Sequence, residues 1–507
     1  MAFSFLQKNK TEFSWEGFAA GVILLLGFAL RLRQYLTGRS LWLDEAMLAL
    51  NIVNRDFASL FQPLDYDQGA PIGFLLVEKI FNALFGEHEF VLRLFPFVVG
   101  AAALVLFYLL LRRTVSGIGL LAGLALFALS PELIYYSSEV KQYILDVAVT
   151  TFLLYLMYPL LEEQPEKSHY IYLGLAGTVV LWFSHPALFV LAGIGMILFL
   201  QTLQRRNWHR FAIISALGGT WLANLGLLYM VSLRNLTQNR FLREYWQENF
   251  IPVPPWSDWS WFGTFFSSLL QDQVGIYVSA WLVFMILVLG FVSLFNKTKA
   301  YAITFVAIFF LAAVASTLWL YPLGGRFSLF MVPLVIILIG QSLDWLEHRL
   351  QTKRNLGMAI AALMGIYLLY APAAESLNNF INPKYYEHIR PSMATLSENW
   401  MEGDVLFVSS GAVPAFRFYA DRYGLGDVTY ESSAVSDYLQ PDNILAHIKS
   451  LDGKPRVWIL ITHVYENEDF NEKDFLLNYL DTIGNKKRDF RSASTSVYLF
   501  LYDLASK

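Results

Sequence analysis

The stretch that decides the architecture is FAAGVILLLGFAL (Phe18–Leu30), followed by Arg31-Leu32-Arg33 and, a few residues on, by Leu41-Trp42-Leu43-Asp44-Glu45-Ala46. With its flanks, 17–36, the apolar run is long enough to cross a bilayer. A short basic stretch carrying Lys8 and Lys10 precedes it. It ends in arginines and not in a small-residue cleavage site, so it reads as an uncleaved first span and not as a removed signal peptide. An acidic pair, Asp44 and Glu45, therefore falls just past the far end of the first span.

The rest of the chain agrees with a membrane setting. Of 507 residues, 56% are hydrophobic and 15% charged, too little charge for a soluble chain of this length. Aromatics reach 16%, which suits interfaces where a ring is half apolar and half wet. A net charge of −4 gives no footprint for nucleic acid. The absence of cysteine excludes disulfides, thiolate metal sites and cysteine nucleophiles. Spans are expected near 17–36, 91–111, 115–135, 143–161, 170–184, 186–204, 211–231, 274–295, 300–320, 327–346 and 356–372, about eleven in all.

Lys and Arg concentrate in one set of short connections: Lys8, Lys10, Arg112, Arg113, Lys167, Arg205, Arg206, Arg210, Lys297, Lys299, Arg349, Lys353 and Arg354. By the positive-inside rule these face the cytoplasm, and so does the N-terminus. Arg31, Arg33 and Arg39, at the outer end of the first span, run against the rule. Two outer loops are long. The first, 37–90, holds amphipathic stretches at Asp44–Arg55 and Pro71–Phe85, read as helices lying in the interface. The turn Asp65-Tyr66-Asp67-Gln68-Gly69-Ala70 separates them. The second, 232–273, carries Trp246, Trp256, Trp259 and Trp261 among prolines.

After residue 372 the pattern changes. Asp404–Val408, Arg456–Ile461 and Ser496–Tyr502 read as strands, alternating with polar helical stretches at 434–449 and 470–483. The expected fold is thus mainly α: a polytopic membrane domain, 1–372, with a C-terminal soluble α/β domain, 373–507, placed outside by the odd number of spans.

Motifs recur in order along the membrane part. After Trp42-Leu43-Asp44-Glu45 come Asp65-Tyr66-Asp67-Gln68-Gly69-Ala70-Pro71, Leu92-Arg93-Leu94-Phe95-Pro96, Tyr135-Tyr136-Ser137-Ser138-Glu139-Val140-Lys141-Gln142-Tyr143, and Gly324-Gly325-Arg326-Phe327-Ser328. Over roughly 15–345 this order resembles the GT-C membrane glycosyltransferases, in the branch of the protein O-mannosyltransferases and the aminoarabinose transferases of lipid A. The resemblance implies a sugar donor on a polyprenyl phosphate, a first-loop carboxylate as base, and inversion at the anomeric carbon. Asp44 stands where that carboxylate is expected, with Glu45, Asp65, Asp67 and Glu139 as supporting acids.

The chemistry is reasonable for these residue types. An acceptor hydroxyl needs a positioned base, and a departing lipid phosphate needs cations where its charge develops. Arg326, Lys141 and Arg31 are the phosphate-binding candidates, all at outer ends of spans. Plainer roles stand beside these. Asp44 is also a good helix N-cap. Glu45 also fits a solvated helix face, and Asp65 and Asp67 fit a turn. Arg326 and Lys141 also fit interfacial anchors, although the two glycines before Arg326 allow close backbone approach. The family commonly has arginine where Lys141 stands, and lysine binds phosphate as a point charge without arginine's fork. His185, before Pro186, reads as the end of a span. With Glu45 it is a weak candidate metal ligand, no spacing fits a known site, and the divalent-metal question stays open.

The competing function is a transporter or flippase, or a binding protein, for a lipid-linked substrate. Such carriers place polar groups at the bilayer midplane and often show repeats; here the spans carry almost no mid-membrane charge, and no internal repeat is visible. The implied setting is a bacterial inner (plasma) membrane. The implied partners are the bilayer, the lipid-linked donor and a protein, lipid or glycan acceptor.

Overall fold

The computed structural model describes residues 14–349, 354–433, 441–467, 470–492 and 496–505. Helix α1 (Trp15–Tyr35) begins where the Ser14 hydroxyl accepts from the Gly17 N–H at 3.3 Å. Its 21 residues extend about 32 Å, enough to cross the hydrocarbon. Gly27 lets it press on the helix Gly117–Leu129; a Cβ there would lie 2.9 Å from the Ala128 Cβ.

Among the described residues, nine helices are long and apolar enough to span: Trp15–Tyr35, Glu89–Leu111, Tyr143–Leu161, Ala187–Gln204, Trp208–Gln238, Ala280–Lys297, Lys299–Thr317, Gly325–Arg349 and Asn355–Ile381. The other two expected spans are shorter. The third breaks at Ser130-Pro131 into Gly117–Leu129 and Pro131–Tyr136. The fifth is Lys167–Val180. Helix Gly325–Arg349 is the buried pillar of the bundle, while Trp208–Gln238 lies at its periphery. The last helix, Arg354–Ile381, runs straight through Pro372 and continues beyond the expected end. A proline removes one ladder bond, and neighbouring packing can carry a helix past it.

In the first loop, α2 (Leu43–Asn54) and α3 (Ile72–Phe85) match the two amphipathic stretches. They do not lie open on an interface, however. Leu48, Ala49 and Ile52 of α2 are fully buried, because the soluble domain covers the loop, with its helix Val413–Tyr419 packed on α2. The turn between α2 and α3 is held by the Asn51 side chain, which bonds the backbone O and N–H of Asp65 at 3.1 and 2.8 Å. Tyr66 and Asp67 both adopt positive φ, 61° and 50°.

The soluble domain is a five-stranded sheet of β1 (Val405–Val408), β2 (Tyr430–Ser432), β3 (Val457–Ile461), β4 (Asn485–Arg491) and β5 (Tyr498–Asp503). The order is β2-β1-β3-β5-β4, with β1 parallel to β2 and β3, and β5 antiparallel to β3 and β4. Central β3, Val-Trp-Ile-Leu-Ile, is buried on both faces. Edge β4, Asn-Lys-Lys-Arg-Asp-Phe-Arg, is charged and open, as suits a strand that must not pair further. The expected helices appear as Pro441–Lys449 and Glu472–Ile483; 434–440 lies outside the described residues, as do Lys8, Lys10 and Lys353. The domain packs on the first loop, its helix Val413–Tyr419 against α2.

Candidate active site

Asp44 is the second residue of α2, and the N-cap residue is Trp42. Trp42 offers no capping oxygen. The free N–H of Leu43 is taken instead by Glu387 Oε2, at 3.1 Å, from the linker that follows the last span. Asp44 is therefore not spent as a cap. Its Oδ1 meets Lys141 Nζ at 2.9 Å and its Oδ2 meets Arg326 Nη2 at 2.6 Å. Three segments far apart in sequence thus converge on one carboxylate: the first loop, the turn before helix Tyr143–Met157, and the start of the central pillar.

The cations are themselves positioned. Lys141 Nζ also donates to Gln68 Oε1 at 2.7 Å. The Arg326 guanidinium lies between the rings of Trp42, Tyr143 and Trp246, 5.1–5.9 Å from their centroids. The two preceding glycines serve a neighbouring loop: a Cβ on Gly324 would meet Asn249, whose carbonyl accepts from Leu323 and Gly324 N–H at 2.8 and 3.0 Å. Gly325 takes φ +59°, which favours glycine.

Burial alone would raise the Asp44 carboxyl; Arg326 and Lys141 outweigh it and hold the group well below the usual carboxylate range. Burial lowers Lys141 despite the partner. Glu139 goes the other way. Burial and then the Glu45 charge push it up to about 8. Its Oε1 accepts from Trp42 Nε1 at 3.1 Å, and its Oε2 is buried without a partner.

Glu45 is fully buried and not on a solvated helix face. Arg93 grips it through Nε and Nη2 at 2.9 and 2.5 Å, and Val140 N–H donates to it at 2.9 Å. Arg39 stands 4.0 Å away and also bonds Ser138. Against the rise from burial, Arg93 and Arg39 lower the Glu45 carboxyl. Glu45 thus ties the 138–141 turn, and with it Lys141, to the helix carrying Asp44. Sequence reasoning assigns Arg93 no role of its own; it enters only as part of the motif Leu92-Arg93-Leu94-Phe95-Pro96.

The remaining candidates lie elsewhere. Arg31 is fully buried among helices and donates to the carbonyls of Gly27, Phe127 and Ala128, so it closes helix ends and does not join Lys141 and Arg326. Asp65 pairs with Arg55 at 2.9 Å, and Asp67 accepts from Asn239 Nδ2 at 2.7 Å; both are turn residues that anchor loops. His185 Nε2 is buried with no hydrogen-bond partner, and no bond joins it to the Asp44 cluster. Among the described residues, no three His, Asp or Glu side chains converge as a metal site would require. Both oxygens of Asp44 face cations, a donor set unsuited to a metal ion.

This convergence of a first-loop carboxylate with two cations sits on a fold seen elsewhere. ArnT from Cupriavidus metallidurans bound to undecaprenyl phosphate superposes with a TM-score of 0.55 at 15% identity, over 96% of this chain and 98% of that one. The fold is GT-C. The apo form of the same enzyme gives 0.54 at 15% identity, covering 97% and 98%. The Archaeoglobus fulgidus oligosaccharyltransferase, in complex with Zn and sulfate, gives 0.52 at 13% identity, covering 86% and 67%. The sequence profile of the dolichyl-phosphate-mannose-protein mannosyltransferases matches residues 69–240, a segment that holds Glu139 and Lys141 and starts after Asp44. No curated protein sequence matches the chain. The chain thus has the fold that its motif order implied, and its residues 69–240 resemble the dolichyl-phosphate-mannose-protein mannosyltransferases.

Proposed function

We propose that the protein transfers a sugar from a polyprenyl-phosphate donor to an acceptor hydroxyl or amine at the outer membrane face, with inversion. The observation that carries this reading is Asp44 held between Lys141 and Arg326. A base and a phosphate cradle are then one cluster, and a transfer to an acceptor needs both. The undecaprenyl phosphate bound to ArnT supports the choice of donor.

In the resting state the carboxylate occupies the cations. An incoming donor phosphate competes for Lys141 and Arg326, and it draws their charge away from Asp44. A carboxylate released in this way becomes more basic. It takes the proton of the acceptor as the acceptor oxygen or nitrogen bonds the anomeric carbon from the face opposite the lipid phosphate. The bond to the phosphate oxygen breaks, and Lys141 and Arg326 stabilise the charge that the phosphate gains. One displacement inverts the anomeric centre.

The test is release of free polyprenyl phosphate from a lipid-linked sugar by purified protein, dependent on added acceptor, with the product's anomeric configuration read by NMR. A flippase moves the donor without cleaving it. Retained configuration would overturn the single, opposite-face displacement.

A further inference from the structure

The segment just before the base, Gly38–Leu43, is clasped by the C-terminal half of the chain. Arg390 Nη2 donates to Gly38 O. The Ser40 hydroxyl bonds His388 Nδ1 at 2.8 Å, and Leu41 N–H donates to the Tyr419 hydroxyl at 2.9 Å. The Trp42 ring lies 5.4 Å from that of Tyr386 and 6.4 Å from that of His463. The clasp ends on Glu387. Its Oε2 takes the Leu43 N–H, and its Oε1 bonds His463 Nδ1 at 2.8 Å.

Each part of this pair is unusual. Glu387 caps a helix of another domain, supplying the acceptor that Trp42 lacks and a negative charge at the helix N-terminus. It is 4% exposed, so its geometry is set by its surroundings. His463, two residues past the end of β3, adopts φ +47°, where a non-glycine residue is strained. Gly411 packs on that strained backbone, where a Cβ would meet the Thr462 carbonyl O at 2.8 Å. The side chain of His463 is 43% exposed.

We infer that Glu387 and His463 are positioning residues for the proposed reaction: the soluble domain, through this pair, sets the start of α2 and thereby the placement of Asp44. The inference rests on Asp44 as the base. It assigns the domain a part in the chemistry beyond covering the loop. Displacing a base by about 1 Å can cost on the order of 100-fold in rate.

The groups facing His463 are Glu387 from the linker, Asp44 from α2 and Glu472 from the helix Glu472–Ile483. Burial lowers the imidazole, and these three carboxylates, Glu387 foremost, raise it above the ordinary histidine value. A raised histidine gives its full contribution below its unfolded pKa and loses it as pH rises through the folded one. The clasp therefore loosens on the alkaline side.

The test is a double-mutant cycle with Glu387→Ala and Asp44→Asn, using a radiolabelled lipid donor. Glu387→Ala alone should lower kcat by about 10- to 100-fold with donor KM within about twofold, and in the Asp44→Asn background the same change should cost less than about threefold. Equal losses in both backgrounds would show independent roles and overturn the inference. Asp44→Asn working at the wild-type rate would remove the base itself, a separate failure visible in the single variant. Should Glu387→Ala not fold, His463 serves. His463→Ala should lower kcat, His463→Gln, which keeps a donor for Glu387, should restore most of it, and the wild-type alkaline loss should vanish in His463→Gln. A His463→Ala enzyme with wild-type kcat and pH profile refutes the proposal equally.

Discussion

Replacing Asp44 by Asn tests the site most directly, because the structure gives this one substitution three separable effects. The amide keeps the shape but cannot accept the acceptor's proton, so turnover should fall by about 10²- to 10⁴-fold. It also removes the negative charge between Lys141 Nζ at 2.9 Å and Arg326 Nη2 at 2.6 Å, cations whose side chains are only 4% and 17% exposed. Breaking a buried pair from one side costs on the order of 3–5 kcal/mol, so the apo variant should melt earlier than wild type. Donor binding should move in the opposite direction. The carboxylate no longer competes with the phosphate, and a gain of about 1.4 kcal/mol for the freed cations would tighten donor binding about tenfold. Bound polyprenyl phosphate should then recover much of the lost thermal stability, since a ligand that binds only the folded state stabilises it. The assays are single-turnover transfer with radiolabelled donor, equilibrium binding of polyprenyl phosphate, and melting in detergent with and without that lipid. An Asp44→Asn protein with near wild-type turnover would refute the base. Weaker lipid binding with slow turnover would refute the exchange of carboxylate for phosphate and leave Asp44 as part of the donor contact.

Arg326→Ala should raise the donor KM, since one charge-assisted contact is worth about 1.5–3 kcal/mol; Arg31→Ala, in contrast, should leave donor KM unchanged and lower the melting temperature, and a donor effect from Arg31 would contradict its placement among helix carbonyls. Glu45→Gln should behave as a folding lesion, with loss on the order of 3–5 kcal/mol because Arg93 is left buried against a neutral group; full expression and melting with only slower turnover would show that Glu45 acts in the reaction instead. For orientation, Glu402→Cys on the exposed surface of the soluble domain should react with an impermeant maleimide in spheroplasts, and Asn296→Cys, at the exposed end of helix Ala280–Lys297, only after permeabilisation. The reverse labelling would put Asp44 on the wrong side for an outer-face donor.

What the sequence discloses about this protein follows the range of the interactions. Spans, first-loop helices and strands such as Val457–Ile461 are legible because hydrophobic periodicity is local. Strand Asn485–Arg491 escapes notice because its polar residues suit an open edge, where nothing selects for an apolar alternation. Asp44, Lys141 and Arg326 are readable only through the order of motifs. Nothing in residues 41–46 alone separates a base from a cap, and the group that takes the capping bond, Glu387, lies 344 positions from Leu43. Arg31 shows the opposite error. A basic residue at a span end looks like a phosphate ligand, yet a helix broken at Ser130-Pro131 leaves carbonyls at Phe127 and Ala128 that need a donor inside the bundle. Charge at the membrane edge is therefore ambiguous until its partner is known. The basic residues are distinguished by what they face: Arg31 faces backbone carbonyls and the Phe127 ring, whereas Lys141 and Arg326 face a carboxylate, whose place the proposed donor phosphate would take.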